Sequence, residues 1–174
     1  GFGWKEKNDI QRWCEYVSDR FQNEAQIALV GVSMGAAAVM MAAGEALPSQ
    51  VKSIVEDCGY SSVWDQFFYL YSNYSKFPKY LTLCMTSGMN KLINGFTFKE
   101  GSSIHQLKKN KRPVLFIHGG ADDFVPTKMV YDVFSATKGE KRLLIVEGAG
   151  HALSVVKDPE KYYGSIKKFL CDFI

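Results

Sequence analysis

The chain has 174 residues, of which 47% are hydrophobic and 22% charged, fractions that are usual for a globular domain. Its 21 basic and 18 acidic side chains give a formal charge of +3, a balance that excludes the strongly basic surface of a nucleic-acid-binding domain. The length suffices for one domain with a hydrophobic core, and an aromatic content of 14% excludes a disordered chain.

The N-terminal part predicts a helix, a strand and a second helix. Asp9 is expected to cap the first helix, which runs to about Phe21. The uncharged stretch 27–44 has the minimum length of a membrane-spanning helix. Its character changes midway, because Ile27–Val30 is typical of a buried parallel strand and the remainder is rich in Ala and Met. A strand followed by a helix over 34–47 is therefore favoured over a membrane span.

The rest of the chain alternates strands with helices, which predicts a parallel sheet covered on both faces by helices. Strands are predicted over 51–56, 113–118 and 143–146, and helices over 127–136 and from Pro159 to the C-terminus, where Asp158 opens the helix.

Between residues 60 and 101 this alternation stops. The segment predicts a helical, cap-like insertion over the carboxyl ends of the strands. Its aromatic rings either pack on the sheet or line part of a ligand pocket, and both alternatives stay open. The residues concerned are Trp64, Phe67, Phe68, Tyr69, Tyr71, Tyr74, Phe77 and Tyr80.

The segment Gly31-Val32-Ser33-Met34-Gly35 lies between the predicted strand and helix. A sharp turn there strains the backbone of Ser33, and small residues on either side keep neighbours from clashing. The hydroxyl of Ser33 then projects beside the N-terminus of the helix, where negative charge is stabilised. The pattern predicts Ser33 as a nucleophile, with the N–H of Met34 as one donor to the oxyanion.

A serine hydroxyl needs a base, and three histidines are available. His151 lies in a Gly-rich loop just past the last predicted strand, from where its imidazole can reach Ser33. His118 ends the third strand, and we expect its ring to bond the adjacent loop in a structural role. His105 lies in a polar segment that predicts an exposed turn. His151 is therefore the candidate base.

The base in turn needs a carboxylate that orients it. Asp122 and Asp123 follow the third predicted strand, and Asp57 follows the second. Adjacent aspartates usually diverge, so only one of the first pair can face His151. From the residues alone, Asp57 remains a rival for this position.

Residues 118–126, with the sequence HGGADDFVP, resemble the HGxxDxxVP segment of esterase- and prolyl-oligopeptidase-like members of the α/β-hydrolase superfamily. The chain order Ser33, Asp122, His151 is also the order of that fold, and the Gly150-His151 loop is similar to its histidine loop. The resemblance covers essentially the whole chain. It implies an α/β-hydrolase fold and selects Asp122 over Asp123, because the acid of this pattern lies four residues after the histidine.

The family's sheet normally has eight strands, and here the resemblance begins only at the helix before the nucleophile strand. Residues 1–7 resemble the loop that usually follows the family's fourth strand. The resemblance therefore implies a single domain over 1–174 that is the C-terminal portion of a hydrolase. It would lack the N-terminal strands and the loop that normally gives the second oxyanion donor. We expect an unpaired edge at Ile27–Val30, covered by an upstream segment or by a second copy.

The leading hypothesis is a serine hydrolase that cleaves carboxylic esters through an acyl-enzyme. Ser33 attacks the carbonyl, His151 takes the proton and returns it to the leaving alcohol, and Asp122 orients His151. The alternatives are a serine peptidase similar to prolyl oligopeptidase, and an inert fragment or binding module of the same fold. The expected partner is a small ester or peptide, and the residues that bind it are not identified. Dehalogenases and epoxide hydrolases are disfavoured, because those relatives have Asp in place of Ser33.

No cofactor or metal is implied by this mechanism, and the four cysteines are scattered without the spacing of a zinc site. They are expected to be reduced, which favours a cytoplasmic location, although one disulfide pairing is left open. An upstream targeting segment or membrane anchor is also left open. The cysteines are Cys14, Cys58, Cys84 and Cys171.

Overall fold

The computed structural model describes residues 1–74 and 78–174, with Tyr74 described by its backbone alone. Four strands and eight helices follow one another along this part of the chain. In order they are α1 (Glu6–Arg20), β1 (Ile27–Val32), α2 (Met34–Ala42), β2 (Val51–Asp57), α3 (Val63–Tyr74), α4 (Lys79–Asn94), α5 (Ser103–Leu107), β3 (Val114–Gly119), α6 (Lys128–Ala136), β4 (Lys141–Val146), α7 (Ser154–Lys157) and α8 (Pro159–Phe173).

The four strands form one parallel sheet in the order β1-β2-β3-β4. Val30 pairs with Val55, Val55 with Leu115, and Leu115 with Arg142 across the sheet. Because all strands run in one direction, their carboxyl ends meet at the same edge of the sheet. The loops after β1, β2, β3 and β4 are therefore neighbours, and this brings distant chain segments together.

Both faces of the central strands are buried, which explains the uninterrupted hydrophobic run 114–117 of β3. Ile54, Val114 and Phe116 pack with α2, α5 and α6 on one face. Val55 and Leu115 point to the other face and pack against α8. The alternation of adjacent residues between two cores follows from the two-residue period of a strand. The predicted helix-covered parallel sheet is confirmed.

Two helix boundaries differ from those expected. Asp9 lies inside α1, and Lys5 takes the N-cap position without a side-chain hydrogen bond. The second helix ends at Ala42 rather than near residue 47. Just past that end, Gly44 lies so close to Gln106 that even a Cβ atom would overlap it. By contrast, Asp158 caps α8 as predicted, and its side chain accepts a hydrogen bond from the N–H of Lys161.

The uncharged stretch 27–44 divides into β1 and α2, so the preference for a strand and a helix over a membrane span is confirmed. No helix in the described ranges is both long enough and apolar enough to cross a membrane. β1, β2 and β4 are one or two residues longer than predicted, with β4 beginning at Lys141 rather than at Leu143, and β3 is shifted by one residue.

The segment between β2 and β3 contains α3, α4 and α5. An antiparallel bridge between Ser62 and Ser102 joins the two ends of the part that holds α3 and α4. Inside it, the rings of Phe67 and Phe98 stack with their centroids 4.8 Å apart, and Phe2 meets Phe67 edge-on at 5.1 Å. The predicted Phe77 and the side chain of Tyr74 lie outside the described residues.

Candidate active site

Ser33 occupies the turn between β1 and α2 in a strained backbone conformation. Its φ and ψ angles are 55° and −117°, a region that residues with a side chain rarely adopt. Its N–H donates to the carbonyl oxygen of Asp57 at 2.8 Å, and its own carbonyl accepts from the N–H of Ala37 at 3.1 Å. The hydroxyl is thereby held at the carboxyl edge of the sheet, above the N-terminus of α2.

The two glycines of the turn differ in their steric surroundings. A Cβ atom on Gly31 would lie 2.3 Å from the carbonyl oxygen of Gly35, so a side chain at Gly31 cannot be accommodated. A Cβ on Gly35 would meet nothing within 4 Å among the described residues. The expectation that both flanking glycines prevent clashes is therefore wrong for Gly35, which lines a groove beside β1 instead.

The structure brings Ser33, His151 and Asp122 into one hydrogen-bonded chain. The Oγ atom of Ser33 lies 2.8 Å from Nε2 of His151. Nδ1 of the same imidazole lies 2.8 Å from Oδ2 of Asp122. The side chain of Asp122 is fully buried, whereas that of His151 is 20% exposed. A hydroxyl, an imidazole and a carboxylate so arranged can move a proton from Ser33 to His151.

Several groups hold Asp122 in place. Its Oδ1 accepts hydrogen bonds from the N–H groups of Phe124 and Val125 at 3.0 and 2.9 Å. Nε2 of His118 lies 3.3 Å from its Oδ2. Burial would raise the pKa of Asp122, but the hydrogen bonds from His118, His151 and Val125 outweigh it and the pKa is lowered. Asp122 is therefore a carboxylate at neutral pH.

The other two histidines were expected to have no catalytic role, His118 as a structural residue and His105 as an exposed one. Nε2 of the buried His118 is 2.9 Å from the carbonyl oxygen of Val125, so the ring bonds the loop that carries Asp122. His105 is exposed, but it belongs to the short helix α5 rather than to a turn, because Ser102 accepts a hydrogen bond from its N–H and caps the helix.

Neither of the rival aspartates, Asp57 and Asp123, is the partner of His151. Oδ2 of Asp57 accepts a hydrogen bond from the hydroxyl of Tyr162 at 3.0 Å. Burial raises the pKa of Asp57, against the opposing effect of that hydrogen bond. Asp123 is exposed, and its carbonyl accepts from the hydroxyl of Tyr69 at 2.9 Å. In this structure Asp122 is thus the hydrogen-bond partner of His151.

Cys58, which follows β2, lies beside Asp122 and His151. Its backbone has a φ of 51°, and its side chain is fully buried. Burial raises the pKa of the thiol far above its ordinary value. One ligand-type atom each from Cys58, Asp122 and His151 lie within 4.8 Å of one another. These are the residues near Ser33 that could hold a metal ion.

An apolar cavity of about 310 Å³ opens at Ser33. Phe67 and Leu70 of α3 form one wall of the cavity, and Phe124 contributes from the loop that carries Asp122. The ring of Phe124 also packs on the imidazole of His151, with centroids 4.9 Å apart. Of the predicted aromatic residues that are described, Phe67 therefore reaches the pocket. The other lining residues are Phe2, Met34, Tyr60, Val63, Gln66 and Val125.

A parallel sheet with helices on both faces and with a strained Ser turn after a strand defines the α/β-hydrolase class. Residues 2–174 match the prolyl oligopeptidase family, peptidase family S9. The chain belongs to this family, as the resemblance implied.

Among its relatives is the protein YqkD of Bacillus subtilis, 27% identical over 169 residues, which cover 97% of this chain and 55% of YqkD. The Pyrococcus furiosus esterase Pf2001 has a similar structure, with a TM-score of 0.72 and 19% identity, over 97% of this chain and 62% of the esterase. The Pyrococcus horikoshii acylaminoacyl peptidase superposes with a TM-score of 0.72 and 18% identity, over 97% of this chain and 28% of that chain. The chain thus spans little more than half the length of YqkD.

Sequence analysis did not single out Cys58, Tyr162 or Phe124 as neighbours of the site. Cys58 and Phe124 follow strands directly or within a few residues, and that position could have indicated them. Tyr162 lies in α8, 105 residues from the carboxylate that it bonds, so no local pattern indicates it.

Proposed function

We propose that this chain carries the nucleophile, base and acid of a serine hydrolase that cleaves carboxylic esters with an apolar acyl group. The observation that supports it is the hydrogen-bonded chain of Ser33, His151 and Asp122 at the mouth of an apolar cavity. An ester needs no cofactor for this chemistry.

In the proposed reaction, Ser33 Oγ attacks the ester carbonyl while its proton passes to Nε2 of His151. Asp122 accepts a hydrogen bond from Nδ1 and stabilises the imidazolium that forms. The negative oxygen of the tetrahedral intermediate receives a hydrogen bond from the N–H of Met34, the first residue of α2, at the positive end of the helix. His151 then protonates the leaving alcohol, and water hydrolyses the acyl-enzyme by the same steps in reverse order.

The cavity supports an apolar acyl group as the part of the substrate that is recognised. Its walls are side chains of Phe67, Leu70 and Val63, and charged side chains are absent from the lining contributed by the described residues. Burial of an acyl chain there removes apolar surface from water, at about 25 cal/mol per Å². Short and medium acyl chains fit a volume of about 310 Å³.

A fluorophosphonate probe tests the proposal, because it forms a covalent adduct with an activated serine. We expect one adduct by intact mass on the natural chain and none on Ser33→Ala. As a matched control, Ser49→Ala removes an exposed serine and should leave labelling unchanged. Labelling of Ser33→Ala would refute Ser33 as the nucleophile. The absence of labelling on both the natural chain and a version extended upstream would refute the proposal and favour an inert fold.

A peptidase is the second candidate, and membership of the prolyl oligopeptidase family favours it. The two activities differ in the leaving group, an alcohol or an amine, and both pass through the same acyl-enzyme. Rates on p-nitrophenyl esters and on proline anilides distinguish them. We expect turnover of the esters, and a preference for the anilides would replace the esterase by the peptidase.

A further inference from the structure

Three loops bring ligand-type atoms together behind the hydroxyl of Ser33. Cys58 follows β2, Asp122 follows β3 and His151 follows β4. One atom from each lies within 4.8 Å of the other two. Cys58 and Asp122 are buried, and the partly exposed imidazole of His151 is the ligand that solvent can reach. The mechanism proposed above makes no use of the thiol.

We propose that Cys58, Asp122 and His151 form a binding site for a thiophilic divalent cation, Zn²⁺ or Cd²⁺, and that the bound ion inhibits the hydrolase. Inhibition rests on the proposed function, whereas binding of the ion does not. A thiolate, an imidazole and a carboxylate are ligands that zinc takes in proteins.

The charges of these three ligands favour a buried site for a divalent cation. A divalent cation bound by one thiolate, one carboxylate and one neutral imidazole gives a site with a formal charge of zero, so no net charge is buried. Ligand atoms around a tetrahedral zinc ion are separated by about 3.3–3.6 Å, on bond lengths of about 2.0–2.3 Å. The contact between His151 Nδ1 and Asp122 Oδ2 is 2.8 Å, so the ion would spread this pair slightly and draw Cys58 inward.

The ion would block catalysis by changing the tautomer of His151. In the resting chain Nδ1 faces Asp122 and Nε2 faces Ser33. When the ion binds Nδ1, the proton of that nitrogen moves to Nε2, and the thiol of Cys58 releases its proton to solvent. One proton leaves per ion bound. An Nε2 atom that carries a proton cannot accept another from Ser33, so acylation stops.

The test uses Cd²⁺, whose bond to a thiolate absorbs in the ultraviolet, and a background of Cys84→Ser with Cys171→Ser, which removes the two exposed thiols. We expect one equivalent of Cd²⁺ to give this absorbance and to slow fluorophosphonate labelling of Ser33 by on the order of 10²-fold, the contribution of a general base. EDTA should restore labelling, and Mg²⁺, which prefers oxygen ligands, should have no effect.

In that background, Cys58→Ser should be labelled normally without metal and should lose the absorbance. Its affinity for Cd²⁺ should fall by more than about 100-fold, because the loss of an outer-shell partner alone costs up to that factor. Cys14→Ser, at a buried thiol outside the site, is the matched control and should behave like the background. Absorbance or inhibition that persists in Cys58→Ser overturns the site. So does Cd²⁺ that fails to bind the background chain.

Two further measurements separate the possible failures. If Cys58→Ser does not fold, Cys58→Ala and the cadmium NMR shift of the background chain report whether sulfur, nitrogen and oxygen all bind the ion. A shift typical of oxygen ligands alone overturns the proposal. If Ser33 never labels but one equivalent of Cd²⁺ still gives the thiolate absorbance, the proposed function fails and the metal site stands.

Discussion

The loops that meet at the hydroxyl of Ser33 hold three non-glycine residues with positive φ. The φ angles of Ser33, Cys58 and Ala152 are 55°, 51° and 57°. Each such residue costs on the order of 1–3 kcal/mol, and it persists because the surrounding structure determines it. For Cys58, the N–H donates to the carbonyl of Ile117 at 2.9 Å, which holds the strained residue to β3. Strain is thus placed where functional groups converge.

Substitution of Asp122 should reduce the activity far more than the same substitution of Asp57. Asp122→Asn should lower kcat on p-nitrophenyl esters by about 10⁴-fold, because the amide cannot stabilise the imidazolium of His151. Asp57→Asn should keep kcat within severalfold, because this side chain bonds Tyr162. Steady-state kinetics on both variants make the comparison. The assignment of the acid is wrong if Asp57→Asn is the inactive variant.

The buried Glu56 should make the free energy of unfolding depend on pH. It is fully buried, and burial raises the pKa of its carboxyl well above the usual range. The hydrogen bond that Oε2 accepts from the N–H of Gly59 lowers this pKa, but by less. The unfolded chain ionises Glu56 above about pH 4.3 while the folded chain keeps the proton, so this group destabilises the fold as pH rises through that range. Glu56→Gln should therefore be more stable than the natural chain at pH 7.

Urea unfolding between pH 4 and pH 8 measures this difference, which should grow with pH. Glu45→Gln is the control of opposite sign, because the hydrogen bond from Lys7 lowers the pKa of Glu45. That carboxylate stabilises the fold above the unfolded pKa, so Glu45→Gln should lose stability at pH 7. A pH-independent effect of Glu56→Gln would contradict the prediction.

Among the elements, β1 is an edge strand of unusual character. Val30 and Val32 are 56% and 45% exposed, and a groove of about 400 Å³ runs beside the strand between Trp13 and Gly35. An exposed apolar edge pairs readily with another strand. We propose that an upstream segment or a second copy covers it. In the absence of an upstream segment, native mass measurement should find the chain self-associated. A monomer of 19.6 kDa would count against coverage by a second copy.

The helix α3 forms a wall of the apolar cavity and should set the acyl length. Leu70→Trp places a larger ring in a space of about 310 Å³. We expect kcat/KM for a p-nitrophenyl octanoate to fall by roughly tenfold or more, with the acetate little changed. Leu92→Trp, at a position of α4 that is 83% exposed, is the control and should alter neither rate. Equal losses on both esters would indicate a general disturbance instead.

At the scale of the whole molecule, the chain corresponds to 55% of the length of YqkD and to 62% of the Pyrococcus furiosus esterase. We propose that residues upstream supply a second oxyanion donor beside Met34. A version extended upstream should then acylate faster by about 10²- to 10³-fold, the usual effect of one such donor. Labelling rates of the two versions test this, with His151→Ala in the extended chain as the inactive control. Equal rates would contradict it.

Local patterns predicted the elements and the turn at Ser33 well, because strand hydrophobicity and the strand–Ser–helix spacing are properties of adjacent residues. They failed at the end of α2, where Gln106 packs against Gly44 from a distant element. They also did not distinguish Asp57 from Asp122, since both follow strands. Only the resemblance of residues 118–126 to a family segment selected Asp122.

The sequence by itself determined the alternation of strands and helices and the candidates Ser33 and His151, because these depend on local spacing. The family and Asp122 followed from the resemblance of its motifs to those of known hydrolases. The tertiary structure alone decided that Tyr162 engages Asp57 and that Cys58 lies beside Asp122 and His151. The physical reason is that parallel strands bring the loops at their carboxyl ends together, and distances between such loops are encoded in packing rather than in neighbouring residues.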